Sequence, residues 1–146
     1  MMKKEQRQPR GLRNNNPGNI KRSKVCFIGE VRPSSDPVFK QFESMAYGYR
    51  AMFMLLHTYD LKLGLNTIES IINRYAPNSE NNTAAYVRRV SELSGVPATS
   101  RFSSTNVDIM PHIVAAMSYH ENGIPAAMKD VEKGWELFIR DIARRN

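Results

Sequence analysis

The chain has 146 residues, 41% of them hydrophobic, which suits one compact domain with its own core and excludes wholesale disorder. No apolar run approaches the ~18 residues of a membrane-spanning helix, and the basic start MMKKEQRQPRGLR leads into no apolar stretch of the kind a secretory signal carries. The net charge of +7 and pI of about 9.8 favour a polyanionic partner, whether nucleic acid, an anionic membrane face or an acidic cell-wall polymer.

Most of that charge stands at the front. Lys3, Lys4, Arg7, Arg10, Arg13, Lys21, Arg22 and Lys24 face a single acid, Glu5. Residues 1–10 read as a flexible basic tail and residues 11–146 as one domain. Aromatics are not interleaved with these cations, so a base-stacking nucleic-acid surface is disfavoured. Synthesis in the cytoplasm without a signal peptide, no membrane insertion and a monomeric state are expected.

Residues Gly11–Arg22 read GLRNNNPGNIKR. Asn competes for backbone hydrogen bonds, Pro17 lacks a donor and Gly18 permits positive φ, so the string builds neither a helix nor a central strand. A plain turn needs one or two such residues, and six in a row indicate a loop with a function. From Lys21 to Phe42 the pattern VCFIGEV–PSSDP–VFKQF predicts a β-hairpin or small sheet, with Phe27, Val38, Phe39 and Phe42 packed on the main domain. Cys26, the only cysteine, is read as a small hydrophobe in a strand rather than a nucleophile.

The rest reads as helical. Met45, Tyr49, Met52, Phe53 and Leu56 recur at helical spacing over residues 44–62. Asn66 with Glu69 predicts a capping box for the next helix, which Pro77 stops. SENNT caps a helix over 83–94, a further helix spans 107–121 and ends at Gly123, and the last spans 126–144 with Trp135, Val131, Phe138, Ile139 and Ile142 on one face. The fold class is mainly α (α+β), a helical domain with a small β-hairpin near the N-terminus.

Within PHIVAAMSYHENG, Met110, Val114, Met117 and Glu121 form one row, so Glu121 ends an apolar stripe. Burial and the helix C-terminus both raise a carboxyl pKa, the preparation a general acid needs near neutral pH. The plainer alternative is that Glu121 pairs with an arginine and closes the helix. Tyr75 and Tyr86 offer aromatic faces and hydroxyls suited to a sugar, or simply pack. Glu30, beside Gly29 in the hairpin, is a candidate second carboxylate or an ordinary turn residue. The histidines His57, His112 and His120 lie too far apart to suggest metal ligands, and neither a metal nor another cofactor is implied.

The order GLRNNNPGNI, hairpin, F-x-x-F-E-S-x-x-x-G-x-R-A, GLNTIESIINRYAP–SENNTAAY and HENG resembles a family of small phage and prophage proteins described as virion or structural proteins. More distantly, NNPGNIK, FIG, FKQFES and INRYAP resemble the asparagine loop, hairpin and helices of lysozyme-like cell-wall glucosaminidases and lytic transglycosylases. The catalytic helix of that superfamily is missing from its expected place before Asn14, and AAMSYHENG resembles it. The resemblance therefore implies a circularly permuted lysozyme-like domain acting on peptidoglycan glycan strands. In it Glu121 is the acid and Glu30 assists. Asn15, Asn16 and Asn19, with His120 and Asn122, orient sugar groups or the carboxyl, and Tyr75 and Tyr86 form a sugar platform.

Three functions compete. The first is a peptidoglycan-cleaving glycosidase (muramidase, glucosaminidase or lytic transglycosylase) of phage origin, acting at the cell wall or within a virion. The alternative is a non-enzymatic virion protein that meets other virion components, cell wall or nucleic acid through its basic face. The third is a plain nucleic-acid-binding module.

Overall fold

The computed structural model describes residues 8–145. In chain order the elements are α1 (Arg10–Arg13), β1 (Glu30–Val31), β2 (Gln41–Phe42), α2 (Met45–Leu63), α3 (Ile68–Tyr75), α4 (Thr83–Ser94), α5 (Met110–Asn122) and α6 (Met128–Arg145). The architecture is mainly α with one small antiparallel sheet near the N-terminus, as the patterning predicts. Of the expected tail, residues 1–7 lie outside the described residues, and Arg10 already belongs to α1. No helix among the described residues is long and apolar enough to cross a membrane.

Helix α2 is the spine. Ser44 caps it by accepting the Tyr47 N–H at 3.3 Å, and Gly64 ends it in the left-handed conformation at φ 68°. The predicted stripe is inside: Tyr49, Met52, Phe53 and Leu56 are buried and Met45 packs at its margin. The most extensive helix pairing sets α2 against α6, where Phe53 meets Trp135 edge-on at 4.9 Å and Phe138 stacked at 5.8 Å. Buried Arg50 adds a polar tie, its Nε donating to Asp141 Oδ2 at 2.7 Å.

The short helices begin on polar caps. Thr67 and Ser70 form a reciprocal capping box at the head of α3, with bonds of 3.0 and 3.1 Å. The expected box of Asn66 and Glu69 is therefore displaced by one residue, because two overlapping polar pairs satisfy the same spacing rule. Asn82 caps α4 by accepting the Ala85 N–H at 3.1 Å.

The 21–42 region is less regular than a hairpin. β1 and β2 pair over two residues each, with Glu30 opposite Phe42 and Val31 opposite Gln41, and Lys21 bridges Phe39. Side chains hold the remainder. Asp36 accepts from Arg10 Nε and Nη2 at 2.6 and 2.7 Å, from Asn14 Nδ2 at 3.1 Å, and from the Val38 and Phe39 N–H groups. The Arg10 hydrogen bonds, opposed by burial, hold the Asp36 carboxyl far below the usual carboxylate range. Cys26 is exposed and outside any strand, and Val38 is exposed, contrary to expectation. Phe42 is buried and Phe27 is half-buried against the core. A short apolar run marks a buried strand only where a sheet exists to receive it.

Gly134 lets α2 and α6 approach. A Cβ there would lie 2.7 Å from Tyr49 Cβ and 2.9 Å from both the Ala46 carbonyl oxygen and the Arg50 nitrogen. Alanine would gain about 1 kcal/mol of helix propensity but force the two backbones apart, an overpacking cost of about 1–3 kcal/mol. Gly134→Ala is therefore expected to lower stability by ~1 kcal/mol, read as a reduced urea midpoint; a raised midpoint would contradict this packing.

Candidate active site

Helix α5 delivers Glu121. Met110, Val114 and Met117 on its row are fully buried, and Glu121 follows them half-buried, two residues before Gly123 turns left-handed at φ 71°. Its Oε1 accepts from Asn19 Nδ2 at 2.9 Å, across 102 residues of chain. Its Oε2 accepts from the Tyr86 hydroxyl at 2.9 Å. Glu121 joins no ion pair among the described residues, so the arginine-paired helix end does not occur. Burial pushes its carboxyl up from the ordinary value, while the Asn19 and Tyr86 hydrogen bonds pull the other way and lose.

The asparagine loop positions that contact by dividing its work. Asn14 binds Asp36. Asn15, at φ 52°, donates to the Phe42 carbonyl at 3.1 Å. Asn16 is fully buried; it donates to the Ile20 and Lys40 carbonyls and accepts the Ile20 N–H, all at 2.9 Å. Asn19, at φ 50°, is the amide that reaches the carboxylate. Asparagine tolerates the left-handed region better than other side-chain-bearing residues, which explains its choice at positions 15 and 19. Gly18 is required where it stands, because a Cβ would collide with the Tyr75 hydroxyl, which donates to the Gly18 carbonyl.

The carboxylate opens onto a cavity of about 460 Å³ lined by Asn19, Phe39, Leu55, Tyr59, Tyr75 and Pro77, among others. Burial and the Glu121 charge both push the Tyr75 and Tyr86 hydroxyls well above the ordinary tyrosine value, so both stay protonated as donors. A second cavity of about 480 Å³, between α3 and α4, includes Glu69, Asn73, Asn78 and Arg88 in its wall but none of the residues predicted for the site. Among the described residues no group of His, Cys, Asp and Glu is arranged to hold a metal ion.

Several predicted site residues stand elsewhere or act differently. Tyr86 is only 1% exposed, so it offers no platform to a sugar; it grips the carboxylate instead. The His120 ring stacks on Tyr86 at 3.9 Å and supports the carboxylate only through it. Asn122 is buried and donates to the Pro17 and Ser118 carbonyls at 2.9 Å, tying α5 to the loop. Asn15 and Asn16 are committed to backbone groups.

Glu30 does not join Glu121. It lines a different cavity, where it accepts from Lys40 Nζ at 3.0 and 3.1 Å, Arg32 Nε at 3.0 Å and the Phe27 N–H. Burial works to raise its pKa, but these donors outweigh burial and lower it. Sequence reasoning missed Lys21, Tyr59, Arg74 and Glu80 in the wall of the Glu121 cavity. Arg74 precedes Tyr75 and Glu80 lies within the SENNT cap, so proximity to residues already singled out was the only signal.

A mainly helical protein with a carboxylate-bearing cleft, assembled from a helix end near one terminus and an asparagine loop near the other, is thus defined. No family model matches the sequence. The chain is 39% identical over 131 residues to "Protein P5" of Pseudoalteromonas phage PM2, an alignment covering 87% of this chain and 80% of that protein. It belongs to the family of phage proteins that includes this P5.

Removing either donor to Glu121 should raise the carboxyl pKa further, since both hydrogen bonds favour the anion. Asn19→Ala and Tyr86→Phe are each expected to shift the Glu121 carboxyl-carbon NMR titration to higher pH. A shift to lower pH in both would mean that the hydrogen bonds do not act on the ionised form.

Proposed function

We propose that the chain is a peptidoglycan-cleaving glycosidase of phage origin, a lysozyme-like domain over residues 11–146 in permuted order, with Glu121 as its general acid. The observation that carries the reading is the Glu121 carboxyl itself: half-buried, facing a cleft, raised in pKa and held by two neutral donors rather than a cation. Docking of the α5 end on the asparagine loop, through Asn19 and Asn122, supports the permuted arrangement.

Protonated Glu121 gives its proton to the glycosidic oxygen as the bond to C1 breaks and positive charge develops on the sugar ring. The Asn19 amide and Tyr86 hydroxyl, already in place, then stabilise the new carboxylate without reorganisation. With Glu30 in another cavity and Glu80, the other carboxylate of this one, paired with Lys21, we read the reaction as a one-acid route. In that route the sugar's own C6 hydroxyl adds to C1 and returns its proton to Glu121, so that no water is consumed.

Zymography on purified cell walls tests this. Wild-type protein should clear, and Glu121→Gln should lose at least 10²-fold in rate, on the order of a general acid's contribution. The wild-type rate should fall as pH rises through the raised Glu121 pKa, because the protonated form is the donor. Mass spectrometry of the products should find anhydro-sugar ends, lighter by one water than hydrolysed ends. Equal clearing by both proteins would remove Glu121 from the mechanism, and no clearing by wild type across several wall types would favour a non-enzymatic virion protein.

A further inference from the structure

Gly11 opens the asparagine string and lies buried within α1, where the backbone makes no demand for glycine. Its φ is outside the left-handed region, and alanine is the better helix former. The demand comes from its neighbours. A Cβ at position 11 would lie 2.5 Å from Asn122 Oδ1, 2.8 Å from the Asn16 carbonyl oxygen and 2.9 Å from Asn19 Oδ1. These same two amide oxygens are the only buried side-chain polar atoms without a hydrogen-bond partner among the described residues. Their nitrogens are committed elsewhere, Asn19 Nδ2 to Glu121 Oε1 and Asn122 Nδ2 to the Pro17 and Ser118 carbonyls. An amide that turns its N–H group outward turns its oxygen inward, and both oxygens meet at one α-carbon.

From this convergence we infer that Gly11 is a positioning residue for the acid: its bare α-carbon is the berth of the Asn19 and Asn122 amide oxygens, and through Asn19 it holds the donor on Glu121. What that positioning is for rests on the glycosidase reading above; the contact itself does not. A buried oxygen without a donor costs stability, and a Cα–H group facing it offsets a small part of that cost as a weak hydrogen bond. A methyl group in the same place would press on all three oxygens. The Asn16 carbonyl cannot yield easily, because the Asn16 N–H donates to the Gly11 carbonyl at 2.7 Å and its side chain is bound to the Ile20 and Lys40 backbone. Of the two amides, Asn122 is held by two bonds and Asn19 by one. Asn19 therefore yields first, and Glu121 loses a donor while the end of α5 stays docked.

NMR on the full-length protein tests this. In wild type the Gly11 α-proton resonances should move with pH at the midpoint of the Glu121 carboxyl, and that response should vanish in Asn19→Ala. This measurement needs no substitution at Gly11, so it stands even where Gly11→Ala fails to fold. Gly11→Ala should shift the Glu121 carboxyl-carbon titration to higher pH, in the same sense as Asn19→Ala, because a donor to the anion is withdrawn. In a double-mutant cycle, adding Gly11→Ala to Asn19→Ala should leave the titration nearly unmoved. On cell walls Gly11→Ala should lose up to about 10²-fold in rate, the scale of a small misplacement of a reacting group. Gly11 α-protons indifferent to pH, or a Gly11→Ala shift that persists at full size beside Asn19→Ala, would overturn the positioning role whatever the walls show. Failure of wild type to clear any wall would remove the glycosidase reading and leave the NMR result standing.

Discussion

The contact between the end of α5 and the asparagine loop is the constraint on which the site depends. Asn122 ties the helix to the Pro17 carbonyl, and Asn19 reaches from the same loop to Glu121. Without that docking Glu121 would be a solvated carboxylate at a helix C-terminus, with an ordinary pKa and no cleft. With it, the carboxyl is half-buried and receives the Asn19 amide from the loop beside the Tyr86 hydroxyl from α4. Each donor also has a second duty to the fold. Asn19 sits in a backbone conformation that most residues avoid, and Tyr86 is part of the core. Both oxygens of the carboxyl are therefore held by groups fixed in the fold.

How much of this was legible in the sequence follows from how local each determinant is. The helices of the main body were legible because periodicity is local: the rows Tyr49–Met52–Phe53–Leu56 and Met110–Val114–Met117 are buried where their spacing predicts. The capping box was misplaced by one residue because Asn66/Glu69 and Thr67/Ser70 satisfy the same pattern, and backbone geometry chooses the second. The 21–42 region was legible least. Its conformation depends on Asp36, Lys40 and Arg32 gripping backbone groups from several places in the chain, so its apolar residues carry no strand signal. That is why Cys26 and Val38 are outside.

The candidate site divides in the same way. Glu121 was legible because it ends an apolar row, and the asparagine string because its composition fits no regular element. The separate duties of the asparagines were not legible, since all four present the same amide and only tertiary contacts decide which carbonyl or carboxylate each meets. Tyr86 acts through a different part of its side chain than its sequence setting suggests. Its aromatic face suggested a platform, whereas burial leaves its hydroxyl as the part that acts.

What separates Glu121 from Asp36 and Glu30 is the kind of partner each receives. Asp36 and Glu30 are given arginine or lysine, and both have lowered pKa values. Glu121 is given only an amide and a phenol, and its value is raised. A structural role would be served better by a cation, because an uncompensated carboxylate costs stability whenever it ionises. Neutral donors serve a different end: they fix the orientation of the carboxyl, leave it able to hold a proton, and stabilise the anion once the proton has gone. That combination leaves the carboxyl oriented without being neutralised, which an arginine or lysine partner would not do.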